Sequence, residues 1–345
     1  MTVTPPNNNI SAQIIDANLD RAREGIRVIE DWCRFTHLNN DFVVVLKDWR
    51  HQLSKHHHYF YREARSTSND RGLGLSHPSQ KNRKSEEDVL LANASRIQEA
   101  LRVIEEFSRN SDPELAKVSS DIRYGMYELE SNLIRRFHLE SRKLTLKECS
   151  LYLITSPNKN IKEIVLEALK AGVKMVQYRC KEYEDRRKLE EGKELLSICK
   201  RFESILIVND RIDIALAINA DGVHLGQNDV PVSTARRLLG EEKIIGLSTH
   251  CLRDIQDANN TCCDYVGLGP VFKSKTKETL DPIGTKQIKE LSKKARVPSF
   301  AIGGIDLSNM NELILAGANQ IAVSNAIIQS NQPGATAKEM LDFLS

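Results

Sequence analysis

The sequence predicts an α/β protein in which a (β/α)8 TIM barrel is preceded by an all-α helical domain with an internal repeat. From residue 150 onwards, short apolar segments alternate with amphipathic helical segments, a pattern typical of parallel strands in a barrel. Ahead of them the pattern is helical, and one segment of it occurs twice. We therefore expect a helical domain with a duplicated helix pair over residues 1–140 and a barrel over residues 148–345.

Length, charge and N-terminal composition limit the classes of partner. The 345 residues are enough for two domains with cores of their own. The 49 Lys and Arg residues nearly balance the 47 Asp and Glu residues, so no broadly basic surface for nucleic acid or membrane is expected. No signal peptide is apparent, and no apolar run approaches the roughly 20 residues of a membrane span. We expect a cytoplasmic protein that acts on small molecules and binds anions only locally.

The helical part contains two copies of one unit. The segment ANLDRAREGIRVIEDWCRF from Ala17 aligns with ANASRIQEALRVIEEFSRN from Ala92. A second amphipathic segment with the motif D-x-R follows each copy, at residues 48–50 and 121–123. The repeated unit is therefore a helix pair, and two such pairs predict a small helical bundle.

Each copy has an apolar stripe and a polar side. The stripe residues are Ile26, Ile29 and Cys33 in the first copy and Leu101, Ile104 and Ser108 in the second, and the polar side of the first copy carries Arg23, Glu24, Arg27 and Glu30. Four polar pairs recur between the copies, namely Asn18/Asn93, Arg21/Arg96, Glu24/Glu99 and Arg27/Arg102. Helix capping and intrahelical ion pairs explain them most simply. A pseudo-symmetric anion or metabolite pocket lined by both copies is the alternative.

Eight apolar segments are predicted to form the barrel strands. In chain order they read LYLITS, KMVQYRCK, SILIVND, GVHLGQ, KIIGLSTH, YVGLGPVF, VPSFAIGG and QIAVSN. In a (β/α)8 barrel the chemistry lies at the C-terminal ends of the strands. The polar residues at these ends are therefore the candidates for a functional site.

Groups that bind anions follow several of these strands. The second strand ends in Gln177, Arg179 and Lys181, which the alternation of a strand places on one face. Gly303-Gly304 after the seventh strand and Ser324 after the eighth fit a phosphate cradle made by backbone N–H groups. The loop KSKTK after the sixth strand adds hydroxyl and ammonium groups. Together these residues predict a site for two anionic groups.

Two carboxylates stand at the ends of neighbouring strands, Asp210 after the third and Asp229 after the fourth. Nearby cations are expected to lower the pKa of both, which makes them unsuitable as an acid–base pair at neutral pH. Oxygen ligands of this kind suit Mg²⁺, which also accepts phosphate oxygens from a substrate. Each could instead cap the helix that follows it. Their occurrence together favours a metal site.

The motifs QYRCK, VND, DGVHLGQND, GLSTH, GPVFKSKTK, AIGGI and AVSNA occur in this order along the predicted barrel. In this order they resemble the thiamine-phosphate synthases, from residue 150 to about residue 330. The resemblance implies a transferase of thiamine biosynthesis that joins hydroxymethylpyrimidine diphosphate to thiazole phosphate, or to its carboxylated precursor, and releases diphosphate. It also implies Mg²⁺ as the cofactor.

The same resemblance implies roles for individual residues. Arg179 and Lys277 would be catalytic, and Asp210 and Asp229 would bind Mg²⁺. The substrate-binding set would be Gln177, Tyr178, Arg179, Cys180, Lys181, Asn209, Ser248, Ser274, Lys275, Thr276, Lys277, Gly304, Val323 and Ser324. Relatives often have Thr and an acidic residue in place of Ser274 and Lys275, so we expect altered affinity rather than altered chemistry.

Several alternatives stay open at this point. Residues 1–140 resemble a helical extension of cyanobacterial-type synthases, for which an oligomerisation module, a regulatory binder of a thiamine metabolite and a second enzyme are all compatible. The barrel could belong to a thiazole tautomerase-like enzyme. An isomerase has no diphosphate to bind, however, which argues against this alternative given four residues: Asp210, Asp229, Arg179 and Lys277. It could also be a sensor that binds without turnover. The sequence leaves the oligomeric state undetermined, and a homo-oligomer is compatible with it.

Overall fold

The computed structural model describes residues 9–36, 40–65, 83–273 and 281–345. It divides into two compact units, Met1–Phe137 and His138–Ser345. None of the helices in these ranges combines the length and the apolar character that crossing a membrane would require.

The first unit is built from helices, as predicted. They are α1 (Asn9–Phe35), α2 (Asn40–Lys55), α3 (Tyr59–Glu63), α4 (Glu86–Ser108) and α5 (Pro113–Lys147), the last of which ends in the second unit. The first repeat copy lies in α1 and the second in α4, while the two D-x-R motifs lie in α2 and α5. Each repeat copy is therefore followed by a helix that carries a D-x-R motif.

The apolar stripes of both copies form the core of this unit, since all six predicted stripe residues are buried. Glu30 departs from the prediction that it lies on the polar side, because its carboxylate is fully buried and accepts a hydrogen bond from Arg50 Nε at 3.0 Å. The second copy repeats this contact, with Arg123 Nη2 donating to Glu105 Oε2 at 2.9 Å. A buried carboxylate needs such a partner. The shared D-x-R arginine supplies it in each helix pair.

The second unit is a closed barrel of eight parallel strands, which confirms the predicted fold class. The strands are β1 (Leu151–Ile154), β2 (Met175–Tyr178), β3 (Ile205–Asn209), β4 (Gly222–Leu225), β5 (Ile244–Thr249), β6 (Tyr265–Leu268), β7 (Ser299–Ile302) and β8 (Ile321–Val323). Each pairs with the next, and β8 pairs with β1. Every strand is shorter than the predicted apolar segment, because the C-terminal end of each segment belongs to a loop.

Helices follow the strands and cover the barrel. They are α6 (Ile161–Ala171), α7 (Asp185–Arg201), α8 (Ile212–Ile218), α9 (Val232–Leu239), α10 (Leu252–Ala258), α11 (Gly284–Lys294), α12 (Met310–Leu315), α13 (Asn325–Ile328) and α14 (Pro333–Leu344). Strand residues that point outwards, such as Val176 and Val208, pack against these helices, whereas Tyr152, Tyr265 and Phe300 fill the inside. Two apolar layers therefore hold the strand ends in fixed positions.

Candidate active site

A cavity of 450 Å³ opens at the C-terminal ends of the barrel strands, within the size range of small-molecule sites. The register between neighbouring strands fixes the relative positions of the lining residues, since Gln177 pairs with Ile207 and Asn209 pairs with His224. The predicted substrate-binding residues that line the cavity are Gln177, Arg179, Asn209, Ser248, Gly304, Val323 and Ser324. The fold thus brings residues from five different strand ends to one space.

A chain of hydrogen bonds forms part of the cavity wall. Gln177 Nε2 donates to Tyr152 Oη at 2.6 Å, and the Tyr152 and Tyr265 hydroxyls are 2.8 Å apart. His224 Nδ1 lies 3.0 Å from Tyr265 Oη, and its Nε2 lies 3.0 Å from Ser248 Oγ. Burial raises the pKa of both tyrosines, so their hydroxyls stay protonated. The chain fixes the orientation of Gln177 and Ser248.

Residues that are adjacent in the motif QYRCK point to different sides of the barrel wall, because side chains alternate along β2 and the loop after it. Gln177 and Arg179 line the cavity, and Arg179 N donates to Thr155 Oγ1 at 2.9 Å. Tyr178 points outwards instead, and its hydroxyl donates to Glu191 Oε2 at 2.9 Å. Cys180 also packs against the outer apolar layer. Because successive strand side chains point to opposite faces, the Tyr178 and Cys180 side chains do not line the cavity, and their place in the substrate-binding set stays a prediction.

Asp210 and Asp229 hold the positions expected of a pair rather than those of helix caps. Gly226 N donates to Asp229 Oδ2 at 2.6 Å, and Lys181 Nζ lies 3.6 Å from Asp210 Oδ2. Asp210 has a φ of 60°, in the left-handed region, which turns the chain sharply at the end of β3. Neither α8 nor α9 has a side-chain hydrogen bond at its N-cap. The N-cap residues are Arg211 and Pro231, so neither aspartate occupies an N-cap position.

The pKa of Asp210 is shifted in the direction opposite to the prediction. Burial raises the pKa of Asp210 and the Asp229 carboxylate raises it further, which outweighs the opposite effects of Lys181 and Asn209. The prediction that nearby cations lower this pKa was wrong, because Lys181 is largely exposed and water screens its charge. Two interacting carboxylates in a partly buried place repel each other unless a cation or a proton lies between them. Their oxygen atoms fit a hard divalent cation such as Mg²⁺.

The turn after β7 requires glycine at both positions. Gly303 and Gly304 have φ values of 102° and 67°. A Cβ on Gly304 would lie 2.5 Å from Lys273 O, and one on Gly303 would lie 2.6 Å from Pro270 Cα. The turn therefore packs directly against the segment after β6. Backbone rather than side chains forms this wall of the cavity.

Some expected residues lie elsewhere, and some cavity residues were missed. Ser274, Lys275, Thr276 and Lys277 lie outside the described residues. Lys181 and the two aspartates lie at the rim rather than among the lining residues. The lining residues absent from the predicted set include Tyr152, Ser156, His250, Tyr265, Asp306, Asn325 and Gln329. Ser156 and Asn325 close predicted strand segments, so a stricter inspection of strand ends would have included them.

Comparison with known proteins gives matches along the whole chain. The family model described as thiamine monophosphate synthase matches residues 151–327, and a model described as ThiD2 family matches residues 13–132. A thiamine-phosphate synthase of Prochlorococcus marinus is 51% identical over 344 residues, which cover 100% of this chain and 99% of the relative. One of a Synechococcus species is 50% identical over 339 residues, covering 97% of this chain and 96% of the relative.

A solved structure agrees with these matches. The thiamine phosphate pyrophosphorylase of Pyrococcus furiosus superposes with a TM-score of 0.53 and 31% identity, over 59% of this chain and 96% of that chain. The resemblance inferred from the ordered motifs is confirmed. The match of the barrel model to more than half of the chain and the full-length cyanobacterial relatives place this chain in the thiamine-phosphate synthase family of transferases.

Proposed function

We propose that residues 148–345 form a catalytic domain that couples hydroxymethylpyrimidine diphosphate to thiazole phosphate, or to its carboxylated precursor with loss of CO₂, giving thiamine phosphate and diphosphate. One observation carries the proposal: a single cavity is lined by Arg179 on one wall and by the Gly303-Gly304 turn and Ser324 on another. A reaction that joins two phosphorylated substrates needs two anion sites in one space. The pair Asp210 and Asp229 stands at its rim.

The pyrimidine diphosphate is assigned to the side formed by β2, β3 and β5. The amide nitrogen of Gln177 donates to Tyr152, so its carbonyl oxygen is left to accept a hydrogen bond from the amino group of the ring. Asn209 and Ser248 add hydrogen bonds, and Arg179 and Lys181 bind the diphosphate oxygens. Asp210 and Asp229 would hold Mg²⁺, which supplies positive charge that stabilises the leaving diphosphate when bound.

The reaction needs little more from the protein. The bond from the methylene carbon to the diphosphate oxygen breaks with its electron pair on oxygen, and the ring amino group stabilises the cation. The thiazole nitrogen then donates its lone pair to that carbon. Arg179 stabilises the charge that develops on the leaving group. No enzyme nucleophile takes part, and the neutral hydroxyls of Tyr152 and Tyr265 only orient other groups.

The thiazole phosphate is assigned to the opposite wall. Its phosphate would lie against the Gly303-Gly304 turn, Val323 and Ser324, where no side chain prevents close approach to the backbone. By family resemblance, Ser274 and Thr276 would also contact this substrate, Lys277 would contact the diphosphate, and Lys275 would modify affinity. These four residues lie outside the described ranges.

The test uses the full-length protein with both substrates and Mg²⁺, and measures thiamine phosphate together with diphosphate. Equal amounts of both products, lost with a chelator, support coupling with Mg²⁺. The variant Asp210→Ala should lose this activity, whereas Asp213→Ala should keep it, because the Asp213 carboxylate is exposed and paired with Arg211. Thiazole binding without product would favour the tautomerase-like enzyme, and binding of both substrates without product would favour a sensor. Cytoplasmic location, homo-oligomerisation and a separate domain over residues 1–140 stay predictions.

A further inference from the structure

Three histidines in succession follow α2 in the first unit. The helix ends before them, and His58 N donates to His56 O at 2.9 Å, with extended backbone angles of φ −61° and ψ 155° at His58. Neighbouring side chains of an extended segment point to opposite sides. The His57 imidazole points towards α1, where its Nε2 lies 2.7 Å from Asp16 Oδ1. The side chains of His56 and His58 therefore share the other side.

These two imidazoles face the carboxylate of Asp112, which lies between α4 and α5. One ring nitrogen of each histidine and one oxygen of Asp112 lie within 4.8 Å of one another, and His58 Nε2 is 3.7 Å from Asp112 Oδ2. Two ligands that bind one zinc ion at about 2.0–2.2 Å are roughly 3–4 Å apart. The pair His58 and Asp112 already meets this requirement, and His56 would have to move by roughly 1 Å to join them.

The charge of Asp112 is not balanced by a basic side chain in the part of the chain that the structure describes. Asp112 is 1% exposed, and the other buried carboxylates of that part, Asp16, Glu30 and Asp264, each contact an arginine. Asp112 contacts no lysine or arginine there, and its one ion-pair partner is His58. A buried carboxylate without a cation is costly. A bound metal ion would supply the missing positive charge.

Helix capping accounts for only one of the two Asp112 oxygens. Oδ1 accepts a hydrogen bond from Leu115 N at 3.0 Å, which caps the N-terminus of α5. Oδ2 faces His58, and within the described residues it accepts a hydrogen bond only from the Tyr61 hydroxyl, at the long distance of 3.5 Å. This second oxygen is therefore available to a ligand.

The imidazoles are also available and are partly held in place. Among the described residues, none hydrogen-bonds to the His56 ring or to His58 Nε2, although water does not reach that nitrogen. Buried polar atoms without a partner are rare in folded proteins. The His58 ring stacks on Phe60, with centroids 5.5 Å apart and planes at 17°, which limits its rotation. Both histidines are half-buried, so an ion can reach them from solvent.

The ligand types select the metal. Two imidazoles and one carboxylate suit zinc, whereas Mg²⁺ prefers oxygen ligands. We propose that His56, His58 and Asp112 bind a zinc ion whose fourth ligand is water. The ion links the segment after α2 to the N-terminus of α5, and thereby the first helix pair to the second. This site is independent of the proposed coupling reaction.

The experiment is a calorimetric titration with zinc of the full-length chain, without a histidine tag and in excess Mg²⁺. Mg²⁺ suits the all-oxygen pair Asp210 and Asp229, so the titration reports the site with imidazole ligands. Wild type should bind one zinc ion per chain. His56→Gln/His58→Gln should bind it more than about a hundredfold more weakly, because changes to residues that only support metal ligands already cost about 10- to 100-fold. The matched control is His51→Gln, an exposed histidine of α2, which should bind zinc as wild type does.

The variant Asp112→Asn separates metal binding from helix capping. Asparagine caps a helix as well as aspartate does, so α5 keeps its bond from Leu115 N, but the charge is lost and zinc affinity should fall by about tenfold or more. Circular dichroism checks that each variant folds. Zinc should raise the unfolding temperature of wild type and of His51→Gln, and should not raise that of Asp112→Asn or of the double histidine variant.

The results that would overturn the site are equally specific. One is a wild-type chain that binds no zinc, and another is a zinc affinity that stays the same in a folded Asp112→Asn or double histidine variant. Asp210→Asn should keep the bound zinc ion even though the barrel reaction is expected to fail in it. Failure of the coupling reaction and failure of the zinc site are therefore distinguishable.

Discussion

Replacement of Gly304 by alanine tests whether the turn after β7 is a phosphate-binding wall. Alanine at a φ of 67° costs about 1–2 kcal/mol of folding free energy, because the left-handed region is unfavourable for residues with a Cβ. The new Cβ would also lie 2.5 Å from Lys273 O, so the turn or the segment after β6 must move. Forced displacement of this kind adds roughly 1–3 kcal/mol. We expect a total loss of about 2–5 kcal/mol.

The matched control is Gly317→Ala. Gly317 also has a positive φ, of 95°, but a Cβ there would meet only Lys289 Cγ at 4.0 Å. It lies outside the cavity lining. Urea denaturation should therefore give a loss of about 1–2 kcal/mol for this variant, the conformational part alone. The difference between the two variants isolates the contacts with Phe272 and Lys273.

Steady-state kinetics then separate stability from binding. For Gly304→Ala the KM for thiazole phosphate should rise by about tenfold or more, since a 1.4 kcal/mol loss corresponds to a factor of ten. The KM for the pyrimidine diphosphate should change little, and Gly317→Ala should change neither. If Gly304→Ala folds and its KM for thiazole phosphate is unaltered, the phosphate does not bind at this turn.

The other predictions concern the hydrogen-bond chain, the carboxylate pair and the helical unit. Tyr265→Phe removes a hydroxyl that contacts both Tyr152 and His224, so calorimetry should detect a loss of roughly 1–3 kcal/mol in the free energy of unfolding. An unchanged unfolding temperature would contradict the role of these hydrogen bonds in stability. Asp210→Asn should abolish Mg²⁺-dependent turnover and, in chelator, leave the unfolding temperature equal or higher, because it removes repulsion from a neighbouring carboxylate; a folded variant with wild-type turnover would refute the metal assignment. Burial opposes ionisation of Asp16, but bonds from Arg65 and His57 outweigh it and lower its pKa. A lowered carboxyl pKa stabilises the fold above about pH 4, and this stabilisation is lost as the pH falls through the pKa of the folded state. Asp16→Asn should therefore show a smaller decrease in unfolding temperature than wild type between about pH 5 and pH 3.

The eight strands and the repeat could be predicted because both depend on patterns along the chain. Alternating apolar segments define parallel strands, and the shared stripe ending at Cys33 and Ser108 defines a buried helix face. The cavity wall was only partly predictable. Tyr152 and Tyr265 lie inside apolar strands, where a sequence gives no sign that two hydroxyls meet across the barrel at 2.8 Å.

Other errors came from neglecting the three-dimensional environment. Glu30 follows the polar periodicity of its helix, yet Arg50 of the next helix makes its burial favourable. The pKa of Asp210 depends on how much water reaches each charge, which sequence spacing does not contain. The outward position of the Tyr178 side chain was predictable, since strand alternation alone places it opposite Gln177.

The duplication also has an evolutionary consequence. In a symmetric dimer every substitution at the two-fold axis appears twice, so both halves of a shared surface must change together. Here the two halves are encoded separately in one chain. They have already diverged at one position, where Gly25 allows the close approach of Ile97 and the counterpart in the second copy is Ala100. Fusion of the copies thus leaves each copy free to change without the other.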